Sequence, residues 1–254
     1  MSALDDKVFI ITGSSRGIGL AAARKLAGRG AAVVISSRKQ EACDEAARAI
    51  EEEGGKAAAI ACHIGKEDQL ADLVEKTIAR FGRIDGVVMN AASNPVYGPS
   101  EIVDQEAFSM IMRNNVFSAM RLAHLARPHL EAAGEGSLVF VSSIAGLLGN
   151  RLIGAYGISK AAQLQLVRNL ALELGASGIR VNAVAPGLVR TDFAQALLDN
   201  PDRVRTMEQA TPLGRLAEPE DIAGVIAFLV SPDSGWVNGQ VIVADGGITT
   251  TGGF

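Results

Sequence analysis

Short runs of β-branched and small apolar residues alternate along the chain with longer segments rich in Ala, Leu, Glu and Lys. The apolar runs predict strands at 8–12, 32–36, 57–61, 86–89, 137–141, 180–184 and 240–243. The segments between them predict helices at 17–29, 40–53, 67–80, 105–132, 155–174 and 218–230. Strands that are apolar throughout bury both faces, as a parallel sheet covered by crossover helices requires. The expected fold is one α/β domain over 1–254, a doubly wound sheet of seven parallel strands with helices on both faces. Its cofactor half runs over roughly 1–150 and its catalytic and substrate-loop half over roughly 137–254. The stretch 186–219 breaks the rhythm with Pro186, Pro201, Pro212 and Pro219 and short helical pieces. Long excursions at the C-terminal edge of a sheet are where lids and substrate loops sit.

Composition narrows the class. Hydrophobic residues make up 48% and charged residues 20%, a globular balance, and the formal net charge of −4 comes from acids and bases that interleave. No basic block suits nucleic acid or an anionic membrane, so neither is expected as a partner. Cys43 and Cys62 form no disulfide framework and have no metal-ligand spacing, so no metal is expected. The opening MSALDDKVFIITG has no charged region before an apolar core, and no apolar stretch reaches the ~18 residues of a membrane span. The ending TTTGGF carries neither a peroxisomal tripeptide nor a prenylation cysteine. A soluble cytoplasmic protein is the expectation.

Three short stretches carry chemistry. The first strand runs into TGSSRGIG, with Gly13, Gly17 and Gly19 ahead of a helix. Missing Cβ atoms let such a loop approach a pyrophosphate, and the helix N-terminus supplies N–H groups and partial positive charge. The second strand ends in SSRK, without the acid that would bind a ribose 2′-hydroxyl. Arg38 with Ser37, and Lys39 as a further candidate, suits a 2′-phosphate, and Arg16 adds positive charge on the same side. The alternative is a solvated helix start, although cations there oppose the helix dipole. The expected cofactor is NADP(H) in preference to NAD(H).

The third stretch is YGISK. Tyr156 and Lys160 stand one turn apart on one helix face, and Ser143 lies thirteen positions before Tyr156 at the end of a strand. An ammonium beside a phenol stabilises the phenolate, moving its pKa from about 10 towards neutrality, worth about 4 kcal/mol. Such a phenol donates and accepts protons near pH 7.

With these pieces in order, the chain resembles the short-chain dehydrogenase/reductase family, of Rossmann type, over essentially its full length. The signposts are Thr12-Gly13…Gly17-Ile18-Gly19, Asn90-Ala91-Ala92, Asn115, Ser143, Tyr156…Lys160, Pro186-Gly187 and Asp245-Gly246-Gly247. The segments SSRKQ, CHIGK, NAASNP, VSSIAG and APGLVRT look most like NADPH-dependent carbonyl reductases of the dehydrogenase/reductase member 4 type. The resemblance implies a catalytic set of Asn115, Ser143, Tyr156 and Lys160. Tyr156 would protonate a carbonyl oxygen, Ser143 orient it, and Lys160 lower the phenol pKa and bond the nicotinamide ribose. Asn115 would hold a water linking Lys160 to solvent. Asn114 and Ser142 are the neighbouring rivals for Asn115 and Ser143, disfavoured by the family pattern and by the spacing to Tyr156.

The resemblance also implies cofactor contacts. Gly13, Ser15, Arg16, Gly17, Ile18 and Gly19 supply the loop, and Ser37 and Arg38 the phosphate end. His63 and Ile64 flank the adenine, while Asn90 and Ala91 close its ribose side. Tyr156 and Lys160 face the nicotinamide ribose, with Pro186, Gly187, Val189 and Thr191 around the carboxamide. His63 replaces the usual Asp at the adenine amine; a neutral His offers one acceptor nitrogen, and a satisfied or exposed His is the alternative. Ser93 departs from the usual glycine after Asn-Ala, tightening the loop above the cofactor. A homotetramer packed through helices 105–132 and 155–174 is implied too.

Val96, Tyr97, Leu147, Leu148, Leu152, Ile153, Leu188, Phe193, Leu197 and Leu198 form an apolar set expected either to ring the pocket or to pack as lid and core. An apolar ketone, aldehyde or diketone, or the corresponding alcohol, fits such a pocket. Two other readings compete. A 3-oxoacyl-[acyl-carrier-protein] reductase would need a basic docking face, whereas 129–135 and 172–174 are acidic. A nucleotide-binding regulator would have no use for the Ser143–Tyr156 pair.

Overall fold

The apolar runs become one sheet in the computed structural model, which describes residues 4–250; residues 1–3 and the end of the TTTGGF tail lie outside the described residues. The strands are β1 (Val8–Thr12), β2 (Ala32–Ser36), β3 (Lys56–Ala59), β4 (Gly86–Met89), β5 (Gly136–Val141), β6 (Ile179–Pro186) and β7 (Val241–Ala244). They pair in the order β3-β2-β1-β4-β5-β6-β7, every pair parallel. The chain winds outward from β1 to β3 and then returns to lay β4 against the other side of β1. That reversal opens a crevice at the C-terminal ends of β1 and β4, the place where such sheets bind ligands.

Among the described residues nine α-helices cover the faces or follow β6: α1 (Gly17–Ala27), α2 (Gln40–Glu52), α3 (Glu67–Phe81), α4 (Gln105–Met112), α5 (Ser118–Ala133), α6 (Gly154–Leu174), α7 (Gln195–Leu198), α8 (Pro201–Ala210) and α9 (Pro219–Val230). Helices α1, α2 and α9 bury Leu26, Ile50 and Ile226 against Phe9 and Ile11, while α3, α5 and α6 bury Leu73, Leu122 and Val167 against Ile10. Alternate residues of β1 thus feed two apolar layers. Each fully buried large side chain contributes about 2 kcal/mol.

One helix departs from expectation. The segment read as continuous over 105–132 is α4 and α5 joined by a π turn, Arg113–Phe117. The extra residue in the wider turn lets Asn114 and Asn115 both point inward, where both are buried. Strand boundaries moved less: β3 starts one residue early and stops at Ala59, and β6 runs on to Pro186.

Candidate active site

The crevice at β1 and β4 is built for close backbone approach. Gly13 and Gly17 have φ of +65° and +57°, which side-chain-bearing residues rarely adopt. A Cβ at Gly19 would stand 2.5 Å from the Gly13 carbonyl oxygen, so α1 can pack on the loop only through glycine. The Asn90 amide donates to the Thr12 and Gly13 carbonyls at 2.9 and 3.0 Å, and Thr12 Oγ1 accepts from the Asn90 and Ala91 N–H groups. These bonds tie the loop between β1 and α1 to the end of β4. Helix α1 has no side-chain cap and no acid in its first turn, so its N–H groups and positive dipole end remain available to an anion. A dinucleotide pyrophosphate fits this cradle, which includes Ser15, Arg16, Gly17 and Ile18.

At the end of β2 the Ser37 N–H bonds the buried Cys43 thiol at 3.1 Å, which fixes the start of the next loop. Arg38 is exposed and has no ion pair among the described residues. Arg16 is engaged instead: its guanidinium meets Asp192 of the loop after β6 at 2.8 Å, with both side chains about two-thirds exposed. His63 Nδ1 accepts the Gly65 N–H at 3.1 Å, the satisfied histidine that the sequence left as the alternative to an adenine acceptor, and that nitrogen is no longer free to accept from adenine. Ile64 lies beside it, half-buried.

Two glycines bring the catalytic candidates together. A Cβ at Gly146 would stand 2.8 Å from the α6 backbone at Lys160–Ala161, and one at Gly157 would stand 2.7 Å from the Ala145 carbonyl. Without them the turn after β5 holds close to α6, which brings Ser143 near enough to the Tyr156 phenol to act on it, while the Ser143 hydroxyl accepts the Ala145 N–H at 3.1 Å. Ser142 points elsewhere, its hydroxyl donating to the Lys160 carbonyl at 3.2 Å. The Lys160 ammonium is buried; it donates to the Val141 carbonyl at 2.8 Å and to Gln163 Oε1 at 3.0 Å, and stands 5.3 Å from the Tyr156 ring centre.

The electrostatics correct one expectation. Burial raises the Tyr156 pKa above its ordinary value, Tyr97 adds to this, and the nearby Ser143 hydroxyl opposes both. Burial lowers Lys160 to about 7. The spacing argument counted the ammonium but not the dehydration, and it assumed a contact that the ammonium makes with Val141 and Gln163 instead. The phenol therefore holds its proton at neutral pH, the form that a proton donor needs.

Asn115 belongs to the same cluster. Its side chain accepts the Ser93 N–H and donates to the Ser93 carbonyl and to Ser159 Oγ, at 2.8, 3.0 and 3.0 Å. Its own carbonyl accepts from Gln163 Nε2. Asn114 bonds Ser93 Oγ at 2.8 Å and does not reach Lys160.

The loop after β6 closes the other side. The Phe193 ring lies 5.9 Å from that of Tyr156, and the Tyr97 hydroxyl reaches the Phe193 carbonyl at 3.4 Å. A Cβ at Gly17 would stand 3.2 Å from the Thr191 methyl, which places Thr191 against the cofactor loop. Val189 bridges to Ala217 just beyond Pro186, the last residue of β6, and Gly187. Leu147, Leu148 and Leu152 are exposed rather than packed. Sequence reasoning missed Gln163, Ser159 and Asp192 as members of this site, and it read Ser93 only as tightening the loop. A signal existed for Gln163: it follows Tyr156 and Lys160 at helical spacing on a face that is otherwise apolar.

A family model described as enoyl-(acyl carrier protein) reductase matches residues 13–249. The chain is 41% identical over 244 residues to dehydrogenase/reductase SDR family member 4 of Oryctolagus cuniculus, covering 96% of this chain and 94% of that protein. It is 37% identical, with a TM-score of 0.92, to a 7α-hydroxysteroid dehydrogenase solved with NADH and 7-oxo glycochenodeoxycholic acid, covering 96% and 94% of the two chains. A gluconate 5-dehydrogenase from Burkholderia cenocepacia J2315, solved with NADP and tartrate, is 32% identical with a TM-score of 0.93, over 98% and 97%.

Proposed function

The chain belongs to the short-chain dehydrogenase/reductase family, and from that membership we propose an NADP(H)-dependent reductase of fairly apolar ketones, aldehydes or diketones, able also to oxidise the matching alcohols. Oxidoreductase chemistry with a nicotinamide cofactor is common to the family; the phosphate preference and the substrate class are our reading. The observation that carries it is the convergence of Ser143, Tyr156 and Lys160 at the end of β5, beside the glycine cradle.

When bound, the cofactor supplies the hydride. Ser143 donates to the substrate oxygen and holds it against the phenol. Tyr156 delivers its proton to that oxygen as negative charge develops there, or removes the alcohol proton in the reverse direction. Lys160 stabilises the phenolate left behind, and Phe193 with Tyr97 limits water around it. The cradle of Gly13, Gly17 and Gly19 would take the pyrophosphate, and Thr191 stands near enough to the loop to meet the nicotinamide end. Arg38, exposed and unpaired among the described residues, supports a 2′-phosphate partner. Solved relatives have been seen with NADH and with NADP, so Arg38 is the residue that decides between them here.

The acidic stretches that spoke against an acyl-carrier partner bear little on it. Leu172 lies sixteen residues along α6 from Tyr156, roughly 24 Å at 1.5 Å per residue, near the opposite edge of the sheet. The apolar residues at the mouth favour a free ketone over a carrier-bound one. We include in the proposal a cytoplasmic homotetramer, supported by Phe117, Ile158 and Leu172 exposed around α5 and α6. Among the described residues no helix is long and apolar enough to cross a membrane.

The test mixes purified protein with a diketone and an aromatic ketone and follows NADPH and NADH absorbance separately. We expect NADPH turnover that Tyr156→Phe lowers by about 10²–10⁴-fold with NADPH affinity unchanged. Arg38→Ser should weaken NADPH by about tenfold and leave NADH alone. NADPH binding without turnover on any carbonyl would favour the regulator instead.

A further inference from the structure

Gln163 is 1% exposed, on the stretch of α6 that also buries Leu164, Val167 and Leu170. A primary amide in such surroundings costs free energy unless its groups are paired, and an apolar residue would pack there at less cost. Its partners explain it. Oε1 accepts from Lys160 Nζ at 3.0 Å, and Nε2 donates to the Asn115 carbonyl, which the π turn presents to α6. An ammonium only donates and a carbonyl only accepts, so the two partners fix which end of the amide is oxygen. The family resemblance implied a water between Asn115 and Lys160; here a side chain of the protein spans that line.

We propose that Gln163 is a positioning residue of the reaction, holding the Lys160 ammonium by a direct side-chain tie to Asn115. The inference rests on the reductase reading for its purpose, though not for its test. Gln163 supplies one of two acceptors to a dehydrated cation, and the amide keeps the ammonium near Tyr156 rather than letting it swing free. The groups facing Lys160 are Tyr156 from its own helix, the Val141 carbonyl and Ser142 from β5 and its following turn, and Asn115 and Gln163; none is a carboxylate. No opposite charge therefore substitutes for the lost acceptor. Burial alone accounts for the depressed Lys160 pKa.

The test uses full-length protein labelled with ¹³Cε,¹⁵Nζ-lysine, read by NMR across pH, with Lys160 assigned by the signal missing in Lys160→Met. Wild type should show one lysine titrating near pH 7. Gln163→Met should move that midpoint down by about one pH unit or more, the size of a lost hydrogen bond to a charge. Gln163→Glu, which restores an acceptor oxygen at the same reach, should return it to the wild-type value or above. The limb of the NADPH turnover profile that reports Lys160 should move the same way. A Lys160 midpoint unmoved in Gln163→Met, or lowered in Gln163→Glu, would overturn the tie. If Gln163→Met does not fold, the Gln163→Glu midpoint still decides. Because the titration needs no turnover, failure of the reductase reading and failure of this tie are separate results.

Discussion

Asp85 and Lys160 are both buried charged residues, 3% and 1% exposed, at opposite edges of the same sheet. Asp85 sits where β4 begins. Arg83 meets both of its oxygens at 2.8 and 2.7 Å, the Val8 N–H donates at 2.9 Å, and Lys7 stands 3.3 Å away. Lys160 sits where β5 ends, with only the neutral oxygens of Val141 and Gln163 for partners among the described residues. One charge is neutralised and serves the fold. The other is left uncompensated, its pKa brought down to about 7, where the balance between charged and neutral forms can serve chemistry. Burial by itself therefore does not separate the two residues; the presence or absence of an opposite charge does.

The largest test of this contrast removes the uncompensated charge. Lys160→Met should cut NADPH-dependent turnover by about 10³-fold while leaving the protein folded. Removing the compensated charge should do the reverse. Asp85→Ala leaves the Val8 N–H and two cations without their carboxylate and should cost about 3 kcal/mol in urea unfolding, with activity per folded molecule near wild type.

A pH series sharpens the comparison further. Lys160 has a native pKa of about 7 against an ordinary value of 10.5, so between those values the unfolded chain binds a proton that the native chain does not. Stability then rises with pH through that window, and the full cost is present below it. Wild type should gain about 2 kcal/mol relative to Lys160→Met between pH 7 and 9, read from thermal melts of both proteins. A parallel pair of curves would mean that Lys160 is hydrated. The smallest effect belongs to the exposed Arg16–Asp192 pair, which is compensated but wet. Asp192→Asn should change stability by less than about 1 kcal/mol, shrinking further in high salt.

Much of this was legible in the chain because the signals are local. Period and side-chain type placed all seven strands, and the helical spacing of Tyr156 and Lys160 put them on one face. The long helix over 105–132 misled because nothing in its own periodicity reports the π turn. Asn115 turns inward to meet Ser93 and Ser159, 22 and 44 residues away, and those partners stabilise the insertion. Arg16 was read with the phosphate set because it sits in the glycine loop, while its observed partner lies 176 residues further on.

The sequence by itself determined the doubly wound sheet, the glycine cradle and the identity of the Ser143–Tyr156–Lys160 group. Backbone sterics, side-chain alternation and helical spacing act over a few residues and are written where they act. Only the tertiary structure decided the state of that group: a phenol kept protonated, an ammonium without an opposite charge, and Gln163 tying it to Asn115. Dehydration and partner choice come from whichever distant segments close around a side chain, and no local pattern records them.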